Sequence, residues 1–404
     1  MNTLRTPRRA RTACRAAVIL TLAAGLGAAP GTAWARVLPP PTQSGAVSWG
    51  ADNLGQLGNS GDSGTDLYGG VTGLGGGIAA VSAGYEHGLA LKTDGTVWAW
   101  GGDQYGELGD GVAGSTSVPV QVPGLTGITQ IGAGAGQNIA LRSDGTVWQW
   151  GGGDPAICNL ATAPQPVPEQ VPGLTSITQI AAGSDFGLAL RSDGTVWAWG
   201  CNNFGQLGVS MPGSMTPVQV PGLSRVISIA AGAFSAAAIE RRNLYTTMTT
   251  LLAWGAYGLP GTDQITPAQV QGIDAPEVAR ISAGAFFMVA VGSDGSVWTW
   301  GDNVSDDLGV GAPGTQPVEV FGPGSRITQV SAGWGYVLAL RSDGTVLAWG
   351  RDTHGELGDG TISSDSLPVQ VAGLTGITQV SAGDGFGLAV RKTQYLTLGV
   401  GVTR

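Results

Sequence analysis

The sequence predicts an all-β chain: a seven-bladed β-propeller of four-stranded antiparallel blades, with the last blade closed by the N-terminal strand. Three observations predict it. First, one phrase recurs along the chain: an Ala-Gly pair, an apolar strand, Asp-Gly, then Val-Trp-x-Trp-Gly. Second, its landmarks are evenly spaced. Trp-Gly pairs stand at Trp49, Trp100, Trp150, Trp199, Trp254, Trp300 and Trp349, in steps of 51, 50, 49, 55, 46 and 49 residues. Ala-Gly glycines stand at Gly84, Gly134, Gly183, Gly232, Gly284, Gly333 and Gly383. A period near fifty with several short strands per unit marks a propeller or an array. Third, 404 residues with 70 glycines and 12% charged residues exceed the about 250–300 residues at which a single core stops growing. A ring of small sheets escapes that limit, because each sheet buries its faces against its neighbours.

In chain order, residues 1–35 read as a secretion signal. Arg5, Arg8, Arg9, Arg11 and Arg15 form a basic start, Ala16–Ala29 an apolar stretch, and Ala33-Trp34-Ala35 a small-x-small cleavage pattern. Residues 36–44 are a linker, 45–392 the propeller, and 393–404 a C-terminal tail or extra strand. No later apolar run is long enough for a membrane helix.

The second unit illustrates a blade. Ile128–Ile131 is the inner strand, and the small residues Gly132-Ala133-Gly134 suit a crowded axis. Asn138–Leu141 follows, then Asp144-Gly145, a favoured pair for a tight hairpin, then Thr146–Trp150. The last strand begins at Pro168. Proline opens the same strand at Pro119, Pro217, Pro267, Pro317 and Pro368. Proline cannot donate to a ladder, so this strand is the outer edge. Trp98 with Trp100, Trp148 with Trp150, Trp197 with Trp199 and Trp298 with Trp300 are two apart, so each pair shares a sheet face. Such a face is the packing layer between blades. The last unit supplies strands near 377–380 and 387–391, and Gly45–Trp49 at the chain start supplies the missing kind of strand. A rival closing strand is Tyr395–Leu398, since Gly399 falls at the spacing from Gly383 that a tryptophan usually holds.

These residues resemble the regulator of chromosome condensation repeat family. The resemblance rests on Ala83–Leu91, Asp94–Gly101 and Asp103–Gly111, with similar loops at Asn53–Gly58, Asn203–Gly208 and Asp352–Gly360, and covers about residues 45–391. It implies seven blades with the two chain ends sharing one. Departures stand out. The family histidine survives only at His87, and the fourth unit carries Arg241-Arg242-Asn243 where Asp-Gly belongs. The family includes a nuclear exchange factor for a small GTPase, a plant ultraviolet-B photoreceptor and a secreted β-lactamase-inhibitory propeller. An exported chain lacks the first one's partner. Trp334 alone among the tryptophans follows an Ala-Gly pair, which disfavours light sensing. Secreted enzyme inhibition remains as a lesser alternative.

Chemistry is sparse. The only histidines are His87, read as a local hydrogen-bonding residue, and His354 in a loop. No nucleophile with a neighbouring base and no Cys-x-x-Cys occurs. The acids at Asp302-Asn303 and Asp306-Asp307 do not have EF-hand spacing, so no metal and no cofactor is expected. Signal removal moves the net charge from −9 to −14, which disfavours nucleic acid and anionic membranes. Cys158 and Cys201 lie in loops leaving equivalent strands of adjacent units, and an even pair in an exported chain suggests a disulfide.

The remaining surface is the turn after each Ala-Gly. Seven turns should ring one face and present Tyr85, Glu86, Asp185, Phe234, Phe286, Trp334 and Asp384. Aromatic anchors beside acids suit protein binding, and these seven residues form the expected binding site. The alternative disposition folds the rings inward over the channel mouth. The expectation is therefore a monomeric, secreted or periplasmic, non-catalytic scaffold for a protein partner. The alternative is a secreted glycan hydrolase or lyase acting in the central funnel.

Overall fold

The structure, a computed structural model, describes residues 45–392 apart from 62, 153–163, 244–247, 258–263, 274–276, 304–307 and 311–313. These residues form seven four-stranded antiparallel sheets. Blade 1 comprises Ile78–Ala83, His87–Lys92, Val97–Gly101 and Thr116–Gln121, innermost to outermost. The inner strands of blades 2 to 6 are Ile128–Ala133, Ile177–Ala182, Val226–Ala231, Val278–Ala283 and Ile327–Ala332. Blade 7 joins Ile377–Ala382 and Phe386–Arg391 to Ala46–Gly50 and Thr65–Gly70. The tail, the linker, the N-terminal segment and Cys158 lie outside the described residues.

The Asp-Gly hairpins follow from local chemistry. Asp94 Oδ1 accepts the Thr96 amide at 3.0 Å and the Thr96 hydroxyl at 2.7 Å, and Gly95 adopts φ +81°. The same Asp-x-Thr clasp recurs at Asp144, Asp193 and Asp343. In blade 4, where Asp-Gly is absent, the strands lengthen to seven residues each, Ser235–Arg241 and Thr249–Gly255.

The outer strands begin earlier than expected. They start at Thr116, Gln165, Ser214, Gln264, Gly314 and Asp365, so proline lies inside the strand rather than at its start. The ladder slips beside it, for example between Ala99 and Gly101 of blade 1. A bulge on an edge tolerates a residue with no amide hydrogen.

Blade 7 is closed by the N-terminal strand, with Ala46 opposite Val390 and Gly50 opposite Phe386. Trp49 is fully buried and its indole donates to the Glu356 carbonyl of blade 6 at 2.8 Å. The tail would place Gly399 at that position and leave the indole's volume empty, which explains why Ala46–Gly50 holds the slot.

The cores lie between blades. Ala46, Phe386, Leu388 and Val390 of blade 7 pack with Ile78, Val81, Ala90 and Trp100 of blade 1. The second tryptophan of each pair is at most 2% exposed, a burial that contributes about 4–6 kcal/mol as an upper figure. In several blades the indole at this position also reaches the loop of the preceding blade, whereas Trp199 donates to Gln149 Oε1 on a strand of blade 2 at 2.9 Å. Trp100 donates to Gln56 O, Trp150 to Glu107 O and Trp254 to Gln206 O at 2.8–2.9 Å. Glycine lies opposite several of these rings. A Cβ on Gly88 or Gly387 would sit about 2.5 Å from Trp100 or Trp49.

At the axis, the exposed edge of each inner strand needs hydrogen-bond partners. Glutamines supply them. Gln179 accepts the Ile229 amide and donates to its carbonyl, both at 3.1 Å. Gln329 does the same for Val380, and Gln379 for Val81. Ser82, Ser282, Ser331 and Ser381 accept the amides of Ala133, Ala332, Ala382 and Ala83 in the next blade.

Trp100→Phe keeps an aromatic ring but leaves the Gln56 carbonyl without its donor. It is expected to destabilise the chain by about 1–3 kcal/mol, measured by chemical denaturation. Trp98→Phe, at a half-buried ring, should cost clearly less.

Candidate functional site

Each inner strand ends in Ala-Gly, and the turn that follows is tied to its neighbour by backbone. The amide of Tyr85 donates to Gly134 O, Ala135 to Ser184 O, Ser184 to Ala233 O, Ala233 to Gly284 O, Trp334 to Gly383 O and Asp384 to Gly84 O, at 3.0–3.3 Å. These bonds form a belt around the axis. They explain the glycine: a Cβ on Gly84, Gly134, Gly232, Gly333 or Gly383 would meet the next turn's carbonyl oxygen at 2.6 Å or less. The belt sets the seven turns around one mouth. Below it lies a channel of about 200 Å³ lined by alanine, glycine and serine.

The aromatic residues expected at this face are brought together rather than spread around it. Tyr85 of blade 1 packs edge-on against Trp334 of blade 6 with ring centroids 5.6 Å apart. Trp334 also meets Phe234 at 6.0 Å and Phe286 at 6.4 Å, and Phe234 meets Phe286 at 5.1 Å. Rings from blades 1, 4, 5 and 6 thus converge over the channel mouth. The rings lean over the small residues beneath, and Tyr85, Phe286 and Trp334 keep part of their surface exposed. Phe204, in the blade 3 loop, extends the cluster outward with its ring 4.9 Å from Phe234. At the level of sequence its loop entered only through the family resemblance, and Phe204 was not singled out. The signal was a phenylalanine in Asn203–Gly208 where related loops have Leu54, Tyr105 or His354.

Exposure divides the seven expected residues. Tyr85 is 38% exposed, while Phe234 and Asp185 are at most 8% exposed, so these two back the surface instead of forming it. Glu86, Phe286, Trp334 and Asp384 are half-buried. Asp384 is not free to steer a ligand alone, since its carboxylate pairs with the Arg351 guanidinium. Arg351 Nε also reaches Glu356 Oε1 at 3.2 Å. Burial, then the nearby Asp384 charge, pushes the Tyr85 hydroxyl and the Glu86 carboxyl upward. Acids therefore gather at blades 7 and 1, and phenyl rings at blades 4 and 5.

His87 was expected to bond locally. It instead bonds across a seam, with Nε2 2.7 Å from Asn138 Oδ1 in blade 2. Asn138 Nδ2 passes the contact to the Glu107 carbonyl at 2.8 Å. Burial lowers the imidazole to about 4, so it is neutral near pH 7 and serves as a hydrogen-bonding group. His354 sits in the blade 6 loop, its amide donating to Glu356 Oε2 at 2.6 Å. Asp306 and Asp307 of the acidic loop lie outside the described residues; among the described residues no three metal-binding side chains gather.

The family model for the RCC1-like domain matches residues 42–320. Models of the regulator of chromosome condensation (RCC1) repeat match residues 327–356 and 343–390. Among solved structures, Prp20p of Saccharomyces cerevisiae superposes with a TM-score of 0.77 at 21% identity, over 88% of this chain and 93% of that one. Human WBSCR16 superposes with a TM-score of 0.75 at 17% identity, over 87% and 100%. Both likenesses are likenesses of fold.

One site-loop carboxylate sets a pH dependence. Glu107 accepts the Tyr105 amide at 2.6 Å and is pushed from 4.5 to about 7, chiefly by burial. The folded chain thus keeps a proton that the unfolded chain releases. Its contribution to stability is present at the acidic end and is lost as pH rises from about 4.5 through 7. Gln56 and Gln206 hold the same loop position and accept the same bond from Leu54 and Phe204. Glu107→Gln should therefore raise the melting temperature at pH 8 and leave it nearly unchanged at pH 4.5, as read by thermal denaturation at both values.

Proposed function

This chain belongs to the RCC1-like family, and on that premise we propose that it is a secreted, non-catalytic propeller that captures a protein partner on the face formed by the turns after each Ala-Gly. The observation that carries this reading is the aromatic cluster over the channel mouth. Tyr85, Phe286 and Trp334 present ring surface, with Phe204 alongside and Phe234 behind. Rigid aromatic anchors of this kind dominate protein interfaces. Glu86 adds a carboxylate on one side, beside the Asp384–Arg351 ion pair. The yeast relative Prp20p is known for binding Gsp1p and histones and as a complex with Kap60, which supports a partner-binding use of the fold.

The glycan-cleaving alternative draws less support. A glycosidase needs two carboxyls flanking its bond. Among the described residues lining the channel the one carboxylate is Asp384, and Arg351 holds it. Export rests on the sequence of residues 1–35, and the disulfide on Cys158 and Cys201. Cys201 is buried where the third strand of blade 3 ends. A bond to Cys158 would staple blades 2 and 3 and stabilise the fold by about 4 kcal/mol through loop closure.

The double substitution Trp334→Ala with Phe286→Ala should leave circular dichroism unchanged and weaken capture of the partner from the native secretome by about 100-fold or more. Undiminished capture would refute the site. The intact mass of the exported protein should match a chain beginning near residue 36, and thiol titration under denaturing conditions should find free thiols only after reduction.

A further inference from the structure

In three consecutive blades the first tryptophan of Val-Trp-x-Trp carries a cation from its own blade. Lys92 Nζ stands 4.6 Å from the Trp98 ring centroid. The guanidinium carbons of Arg142 and Arg191 stand 4.4 Å from the centroids of Trp148 and Trp197. On the outer side, each of these tryptophans pairs across the ladder with a neutral glutamine: Gln121, Gln170 and Gln219. Each group also includes the aspartate of the adjoining Asp-Gly turn. Cation and aspartate cancel, so each group has no net charge.

Blade 5 keeps the tryptophan and the aspartate but changes the other two members. Gly292 pairs with Val278 as Lys92 pairs with Ile78, Arg142 with Ile128 and Arg191 with Ile177. It therefore occupies the cation's position with no side chain. Glu319 pairs with Trp298 where the other three have glutamine. Cross-strand partners share a face of the sheet, so the Glu319 carboxylate and the Trp298 ring project from the same side. Local charge falls from zero to minus two, with Glu319 exposed and Trp298 half-buried.

The surroundings agree. Among the described residues no cation stands over Trp298. Asp294 accepts the Ser296 hydroxyl at 2.7 Å, and that hydroxyl accepts the Trp298 indole at 3.2 Å. Asp94, Asp144, Asp193 and Asp343 each feel a basic side chain of their own blade, whereas Asp294 feels none. Arg326, in the connection leaving blade 5, acts on Asp343 of blade 6.

We infer that blade 5 presents a binding site for an organic monocation, an ammonium or guanidinium group seated on the Trp298 ring beside Asp294 and Glu319. The ring's negative face attracts weakly hydrated cations at short range. Blades 1 to 3 show the geometry with a resident side chain in place. In blade 5 the cation comes from outside, either as a free small molecule or on a lysine or arginine side chain of another protein. The site lies at the Asp-Gly end of the blade, opposite the Ala-Gly turns, and stands independently of the proposed function.

The test follows the Trp298 indole resonance of the 15N-labelled full chain by NMR, assigned by its loss in Trp298→Phe. Tetramethylammonium chloride, Nα-acetyl-lysine amide and Nα-acetyl-arginine amide are titrated separately against a sodium chloride control. A saturable displacement at Trp298, absent at Trp98, is expected. Glu319→Gln should weaken it about threefold. Gly292→Lys should abolish it by supplying the cation from within; Gly292 has no positive φ, so a side chain there strains no backbone dihedral. A stronger response to tetramethylammonium assigns the site to a free cation, and one to the amino-acid amides to a partner's side chain. No displacement beyond the salt control, an equal displacement at Trp98, or one that Glu319→Gln and Gly292→Lys leave unchanged would overturn the site.

Discussion

Seven small sheets become one object through the indole that ends each third strand. A four-stranded sheet of five- and six-residue strands buries too little by itself. The indole fills the gap to the preceding blade, and its N–H satisfies a carbonyl in that blade's loop, as Trp100 does for Gln56 and Trp49 for Glu356. Packing and polar satisfaction are thus met by one side chain. The Gly-Glu/Gln-Leu-Gly loops exist to receive it: Asp103 and Asn202 fold them by accepting the Leu108 and Leu207 amides. Trp300 shows the dependence. Blade 4 lacks that loop sequence, and among the described residues the Trp300 indole N–H meets no acceptor.

Side-chain volume is traded across each seam. The residue at the His87 position of one blade faces the residue after that position in the next. His87 bonds to Asn138, Phe186 and Ala236 share one core and Phe287 and Val337 another; by sequence position the remaining pairs are Gln137 with Gly187, Ser235 with Met288, Tyr336 with Gly387 and Phe386 with Gly88. A large ring faces alanine or glycine in the Phe186, Tyr336 and Phe386 pairs, and in the fourth seam the order is reversed. Ser235 and Met288 are both fully buried, so the reversal still closes the gap.

Much of the architecture was legible because it repeats. Inner strands, Asp-Gly hairpins, the proline edge and the shared blade 7 all follow from periodicity and backbone chemistry. What was not legible depends on neighbours fifty residues away. A glutamine such as Gln179 on a short strand reads as solvent-facing; only the ring gives it Ile229 to bridge. His87 reads as a turn residue until Asn138 is beside it. At the mouth, sequence placed Tyr85, Phe234, Phe286 and Trp334 in turns but did not give their direction. Their convergence, and the burial of Phe234 and Asp185, come from a narrow axis that pulls rings from several blades into one volume. Arg351 belongs to a long loop and carries no motif, so its grip on Asp384 was invisible.

The pairing of Ala46 with Val390 joins residues from opposite ends of the polypeptide. Every other sheet is made from a contiguous stretch and can assemble as it is synthesised. The seventh needs Phe386–Arg391, the last of the described strands. Without that strand the first blade has one uncovered face and Ala46–Gly50 has only Thr65–Gly70 as a partner. Contacts of such long sequence separation form slowly, and arcs with exposed strand edges aggregate. Closure of the ring therefore rests on the one sheet whose strands lie at both ends of the propeller sequence.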